Sequence, residues 1–211
     1  MKICEIFTSI QGESSFAGLP CTFVRLSGCN LRCVYCDTQY AYDEGYDISL
    51  DELVAQVHHA GVDLIEITGG EPLLQVRDVQ DLMNRLTDDS YTVLIETNGS
   101  LSIKGLDDRF IVILDIKTPG SGMNHQMDFS NLQHLKPQDE VKFVVCSRED
   151  YEWSKKIVSE YHLIKTSRVL FSPAFGTVKP DELADWILAD RLPVRLNLQL
   201  HKYIFKQERQ I

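Results

Sequence analysis

Short apolar runs recur along the chain at residues 21–26, 64–68, 92–96, 110–117, 141–145, 168–171 and 194–198, several of them separated by stretches with helical spacing. Runs of this length read as buried strands, and the spacers read as amphipathic helices. The clearest spacer opens at Ser49-Leu50-Asp51-Glu52, a capping-box pattern followed by Leu53, Val54 and Val57 on one helix face. Further helices are expected at 79–86, 151–161 and 181–188. Strands alternating with helices imply parallel pairing and right-handed crossovers, which makes the class α/β. A complete eight-fold barrel takes about 250 residues, so a chain of 211 predicts an abbreviated or partial TIM-like (β/α) barrel of mostly parallel strands. The segment 98–109 is too short to carry a full crossover helix. No repeat, low-complexity tract or linker divides the chain, which reads as a single domain over 1–211.

Parallel α/β folds bind ligands at the C-terminal ends of their strands. Three segments fall there: the loop GCNLRCVYCDT after Leu26, Gly69-Gly70-Glu71-Pro72 after Thr68, and Thr97-Asn98-Gly99 after Glu96. The first holds Cys29, Cys33 and Cys36 in a C-x3-C-x2-C run. Thiolates are soft ligands that suit iron–sulfur clusters and zinc. Structural zinc sites and ferredoxin-type clusters both take four protein ligands, so three cysteines leave one corner for a substrate or cofactor. A zinc module completed by Asp37, a histidine or another cysteine, or a simple electron carrier, is the alternative that spacing alone leaves open. Gly69 and Gly70 allow close backbone approach to a ligand, with Glu71 placed to receive a ligand ammonium.

Hydrophobic residues at 44% and charged residues at 25% are ordinary for a globular chain. Acidic residues outnumber basic ones by 31 to 21, a net charge of -10 that disfavours a nucleic-acid backbone and suits a small-molecule enzyme. No apolar stretch is long enough for a signal peptide or a membrane span. The six cysteines are therefore expected to stay reduced in the cytoplasm, with Cys4, Cys21 and Cys146 as small buried residues.

The cysteine run, with Tyr35 just before its last cysteine and Gly69-Gly70-Glu71-Pro72 ending the next strand, resembles the radical S-adenosylmethionine superfamily. The resemblance narrows further. FTSIQGE at 7–13, Cys36-Asp37-Thr38, Glu96-Thr97-Asn98-Gly99, Asp115-Ile116-Lys117, VKFVV at 141–145 and Gln199-Leu200-His201-Lys202-Tyr203 are similar to the family of 7-carboxy-7-deazaguanine synthases, over nearly the whole chain. It implies a [4Fe-4S] cluster on Cys29, Cys33 and Cys36, with S-adenosyl-L-methionine on the open iron as the source of a 5'-deoxyadenosyl radical. The implied reaction is ring contraction of 6-carboxy-5,6,7,8-tetrahydropterin to 7-carboxy-7-deazaguanine with loss of ammonia, the cofactor being regenerated, on the route to queuosine and other 7-deazapurines.

Carried over residue by residue, the resemblance implies a Mg2+ ligand at Thr38 and contacts to S-adenosylmethionine from Tyr35, Asp37, Gly70, Glu71, Lys117, Thr118, Pro119, Ser172 and Phe175. It implies substrate contacts from Ile10, Gln11, Gly12, Glu13, Arg25 and Thr68, the Arg25 guanidinium offering a planar fork to the pterin carboxylate. Asn98, Gln199 and His201 are expected to line the cavity or to form a buried hydrogen-bond network. A flavodoxin or ferredoxin as electron donor and a homodimer are implied as partners. A radical activase acting on a glycine of a partner protein shares the cysteine spacing and is the competing enzyme. Two departures stand out: Ser14 occupies a position where members often carry glycine, and residues 206–211 extend the familiar C-terminal end without a proline.

Overall fold

The computed structural model describes residues 1–205. Its strands are β1 (Lys2–Ile10), β2 (Pro20–Leu26), β3 (Tyr46–Asp47), β4 (Leu64–Gly69), β5 (Thr92–Thr97), β6 (Ile111–Ile116), β7 (Glu140–Val145), β8 (Arg168–Pro173) and β9 (Arg195–Leu196). They form one nine-stranded sheet in the order β3-β1-β2-β4-β5-β6-β7-β8-β9. From β2 onward every neighbouring pair is parallel, whereas β1 runs antiparallel to both β2 and β3. The α/β class with mostly parallel strands is as the sequence predicts. The antiparallel β1 is not among the expected strands, because its alternation of polar and apolar residues is irregular. The run at 194–198 shrinks to the two residues of β9.

The expected helices are α1 (Leu50–Ala60), α2 (Val76–Asp88), α3 (Arg148–Glu160) and α5 (Pro180–Asp190), joined by the single turns α4 (Leu163–Thr166) and α6 (His201–Ile204). The Ser49 capping box is complete, with Ser49 Oγ accepting from the Glu52 amide and Glu52 reaching back to the Ser49 amide. The segment 98–109 has no helix. Buried Asn131 staples it instead: Nδ2 donates to the Leu101 carbonyl at 2.9 Å, and Oδ1 accepts from the Ile103 amide at 3.0 Å.

Because side chains alternate across a strand, the sheet has two different faces. On the outer face Val24, Leu26, Ile65, Ile67, Ile95, Leu114, Val141 and Phe143 pack beneath Leu53, Val79, Leu82, Tyr151 and Leu183 of the helices, forming the main core. On the inner face Phe7, Cys21, Phe23, Leu64, Leu94 and Ile113 form a second apolar cluster, with Phe7 and Phe23 stacked at 5.0 Å. Beyond this plug the inner face turns polar. Among the described residues the sheet does not close by strand pairing. The turn between β1 and β2 crosses the inner face so that the Ser15 amide reaches Glu140 on β7 at 3.1 Å, and the chain after β9 returns to it, the Leu200 amide donating to Gly12 O at 2.8 Å.

Replacing Ser49 by Ala removes the side-chain acceptor at the start of α1. The expected loss is about 1 kcal/mol in urea unfolding, with the cavity described below unchanged.

Candidate active site

The cysteine loop leaves β2 at Leu26 and is fixed along its length: Gly28 N donates to Ala41 O at 2.8 Å and Val34 N to Ser121 O at 3.1 Å. The Arg32 guanidinium donates to the carbonyls of Cys29 and Leu31 and lies 4.1 Å from the Tyr42 ring centre. The end of β4 passes directly against this loop. Register pairs Leu26 with Gly69, and a Cβ on Gly70 would sit 2.0 Å from Gly28 O and 2.9 Å from the Cys29 Cβ. Glycine is thus required here by the loop's own backbone, a closer constraint than the ligand approach expected from sequence.

Glu71 is likewise turned inward. Its fully buried carboxylate accepts from the Leu73 amide at 2.9 Å, the Thr97 hydroxyl at 2.7 Å and the Asn98 amide at 2.7 Å. It ties the ends of β4 and β5 together and stands outside the cavity lining. Thr118, between Val144 O and Asp150 Oδ2, and Ser172, accepting from Asn197, are also buried behind the wall. Ile10 and Pro119 stand outside the lining as well.

The remaining expected residues converge on one cavity of about 780 Å³. Cys29, Cys33 and Cys36 stand on one wall with Tyr35, Thr38 and Gly70. Burial pushes the Cys29 thiol up and the Cys33 thiol up to about 11. Free thiols in this setting are protonated at neutral pH, while a coordinated cation deprotonates them. Asn98 Nδ2 approaches Cys29 Sγ at 3.8 Å, a weak donor contact that suits a ligating sulfur. Among the described residues no three His, Cys, Asp or Glu side chains are gathered tightly enough to hold a single metal ion. Three thiols on one wall, with an open cavity before them, fit a cluster that spreads its corners better than one zinc ion with bonds of about 2.3 Å. None of the six cysteines is in a disulfide; Cys21 is buried as expected, whereas Cys4 and Cys146 are only half-buried.

The rest of the lining is polar and charged. Arg25 lines it with Nε donating to Glu5 at 2.8 Å, and its guanidinium lies 5.7 Å from the Phe7 ring centre. The structural ion pair and a place in the cavity wall are therefore compatible. Gln11 Nε2 donates to buried Glu66, and its Oε1 accepts from the Glu13 amide at 2.9 Å. Thr68 donates to Glu96 Oε2 at 3.3 Å. Lys117 pairs with Asp115 at 2.9 Å; burial opposes its charge, but Asp115, Tyr35 and Cys33 hold the ammonium above the usual lysine range. Glu66 goes the other way, burial and neighbouring Glu96 pushing its carboxyl well above the usual value. Tyr35 Oη and Asp115 Oδ1 are buried without a hydrogen-bond partner among the described residues.

The C-terminal segment closes the mouth. Gln199 donates to Glu13 at 2.9 Å, and Lys202 pairs with Asp37 at 2.6 Å while lying 4.9 Å from the ring centre of exposed Phe175. Burial pushes the Asp37 carboxyl up, yet Lys202 and the Thr38 hydroxyl hold it at about 2. His201 packs against the turn so closely that a Cβ on Gly12 would fall 2.1 Å from its Nδ1. Ser14 adopts φ 61 and accepts from the Phe16 amide at 3.1 Å. That left-handed conformation explains the preference for glycine at this position, and the side-chain bond compensates a serine there. Residues 206–211 lie outside the described residues.

Glu66, Lys142 and Lys202 also line the cavity, and none was singled out as a site residue from sequence. A signal existed for the first two: each is a lone charge inside an apolar strand run, LIEIT and VKFVV.

An inward-facing cysteine triad at the C-terminal rim of a parallel sheet defines the class, and the radical SAM superfamily model matches residues 23–187. The chain is 46% identical to 7-carboxy-7-deazaguanine synthase of Koribacter versatilis, covering 99% of this chain and 98% of the relative. It is 44% identical to the protein of the same name from Chlorobaculum tepidum, covering 99% and 96%. The fold matches the crystal structure of QueE from Escherichia coli with a TM-score of 0.79 at 23% identity, over 95% of this chain and 94% of that one. The chain belongs to the 7-carboxy-7-deazaguanine synthase family of radical SAM enzymes.

Gly70→Ala is expected to displace the cysteine loop and lower the iron and sulfide retained after anaerobic reconstitution, measured by metal analysis. Glu66→Gln tests the raised carboxyl. The unfolded chain releases the Glu66 proton near pH 4.3, roughly, while the folded chain keeps it, so stability falls as pH rises above that value. The amide removes this term, and the thermal midpoint of the variant should decline less between pH 5 and pH 8, roughly, than that of the parent.

Proposed function

We propose that this enzyme converts 6-carboxy-5,6,7,8-tetrahydropterin to 7-carboxy-7-deazaguanine with release of ammonia, using S-adenosylmethionine as a regenerated cofactor. The observation that carries the reading is that the three thiols and the Arg25, Thr38 and Glu13 side chains line the same cavity. When bound, the cluster and S-adenosylmethionine supply reducing power and a carbon-centred radical. The chain's own residues then divide the work. Cys29, Cys33 and Cys36 hold the cluster; Tyr35, Gly70 and Lys117 shape the adjoining wall for S-adenosylmethionine. Glu71 and Thr118 act from behind that wall by fixing its backbone.

Arg25 receives the pterin carboxylate, its fork held in plane by the bond to Glu5. Gln11, Gly12 and Glu13 on the turn after β1, with Thr68 at the end of β4, bound the ring. Thr38 offers a hydroxyl to a Mg2+ ion that takes its other oxygens from substrate and water, as this hard cation prefers few protein ligands. Asp37 stands beside it, anchored by Lys202. The segment from Gln199 to His201 covers the mouth and limits water entry. A flavodoxin- or ferredoxin-type donor, a homodimer, a single catalytic domain and a reducing cytoplasm complete the reading. No described helix is long and apolar enough to cross a membrane.

Anaerobically reconstituted protein given S-adenosylmethionine, reductant, Mg2+ and the pterin should form 7-carboxy-7-deazaguanine. An intact cluster without that product would refute the assignment. Arg25→Lys keeps the charge and loses the fork. A charge-assisted hydrogen bond is worth about 1.5–3 kcal/mol, so KM for the pterin should rise roughly ten- to hundredfold with the cluster spectrum unchanged.

A further inference from the structure

Lys142 projects from β7 into the floor of the cavity, where its side chain is 5% exposed. Its ammonium meets three carboxylates carried by three different elements: Glu13 on the turn after β1 at 2.9 Å, Glu96 on β5 in close contact, and Asp115 on β6 at 3.4 Å. An ammonium has three N–H donors and no acceptor. Two of those donors are hydrogen-bonded, to Glu13 and Glu96, and Asp115 completes the ion cluster, so the ammonium is turned to carboxylates on all three elements.

The carboxylates are not saturated. Among the described residues Glu13 accepts otherwise only from Gln199, and Glu96 only from Thr68, while a carboxylate offers about four acceptor sites. Both line the cavity. Asp115 adds an oxygen, Oδ1, without a hydrogen-bond partner among the described residues. Of the nearby donors, the Thr68 hydroxyl is engaged by Glu96, and Gln11 Nε2 gives one of its two N–H groups to Glu66. The floor thus offers unfilled acceptor positions on Glu13, Glu96 and Asp115, and their complement is a ring bearing several N–H groups.

We infer that Lys142 is a positioning residue that holds Glu13 and Glu96 as oriented acceptors for the ring N–H and amino groups of the reduced pterin. The inference rests on the substrate reading above. A reduced pterin has the required donors at its ring nitrogens and exocyclic amine, and Arg25 takes its carboxylate on a separate wall. Without the lysine the carboxylates repel one another, and at least one takes up a proton and becomes a donor itself. Burial pushes the Glu13 carboxyl up, and it is the Lys142 ammonium, with Gln199, that holds it below the usual range.

The test uses reconstituted holoenzyme with S-adenosylmethionine and Mg2+ but no reductant, titrated calorimetrically with 6-carboxy-5,6,7,8-tetrahydropterin. Lys142→Met should weaken pterin binding at least tenfold and raise KM in parallel, with kcat within about threefold and S-adenosylmethionine affinity unchanged, while Lys142→Arg should bind within about threefold of the parent. If the methionine variant does not accumulate as folded protein, Lys142→Gln is read by the same criteria. A charge-free variant that binds pterin as the parent does, or an arginine variant as weak as the methionine one, overturns the inference. Absence of pterin binding and turnover by the parent itself removes the functional reading and this inference together; parental turnover beside unchanged binding in the variant removes the inference alone.

Discussion

The close passage of β4 beneath the cysteine loop is the contact on which the site depends. Parallel pairing sets Leu26 beside Gly69, and the Gly70 amide then donates to Leu26 O at 3.1 Å while the Glu71 amide donates to Gly28 O at 2.8 Å. These bonds place Cys29 against the strand ends. A side chain at Gly70 would force the two backbones apart, and Glu71 extends the same clamp to β5 through Thr97 and Asn98. The cysteine wall is therefore a property of the sheet's rim more than of a flexible loop.

Much of this was legible in the residues. The apolar runs located β2 and β4 to β9, and the capping box located α1, because both signals come from local periodicity and local hydrogen bonding. The cysteine loop, the glycine turn and Thr97-Asn98-Gly99 were placed on one rim from strand direction alone. The antiparallel β1 was missed because Phe7 and its other apolar residues mix irregularly with polar ones along the strand. The helix-free segment after β5 was anticipated from its length, but Asn131, the residue that replaces the helix, sits 28 residues from the Ile103 amide that donates to it, too far for local reasoning. Glu71 and Thr118 show the same limit. Their types suggested ligand contact, and only tertiary geometry shows that backbone amides, a hydroxyl and a carboxylate already occupy them.

Charge inside the barrel follows from the alternation of the strands. Glu66, Glu96, Asp115 and Lys142 each occupy inner-face positions whose neighbours in sequence point into the main core. Buried charges are tolerated when paired and hydrogen-bonded, and here the pairing links elements far apart in sequence. The apolar plug of Phe7, Phe23, Leu94 and Ile113 seals the other end of the barrel, lowering the local dielectric and strengthening these interactions.

The contact between Gln199 and Glu13 spans 186 residues, and the Leu200 amide bonds to Gly12. The mouth of the cavity is thus assembled from segments near the two ends of the described residues. Contacts of such separation form late and slowly, since the entropy of closing the loop is lost before the contact is gained. The cysteine wall is held from mid-chain by Ser121 O at Val34, and the enclosure over it by Gln199 and Leu200. A change near either end of the described residues therefore reaches the metal-binding face through the same two residues, Gly12 and Glu13.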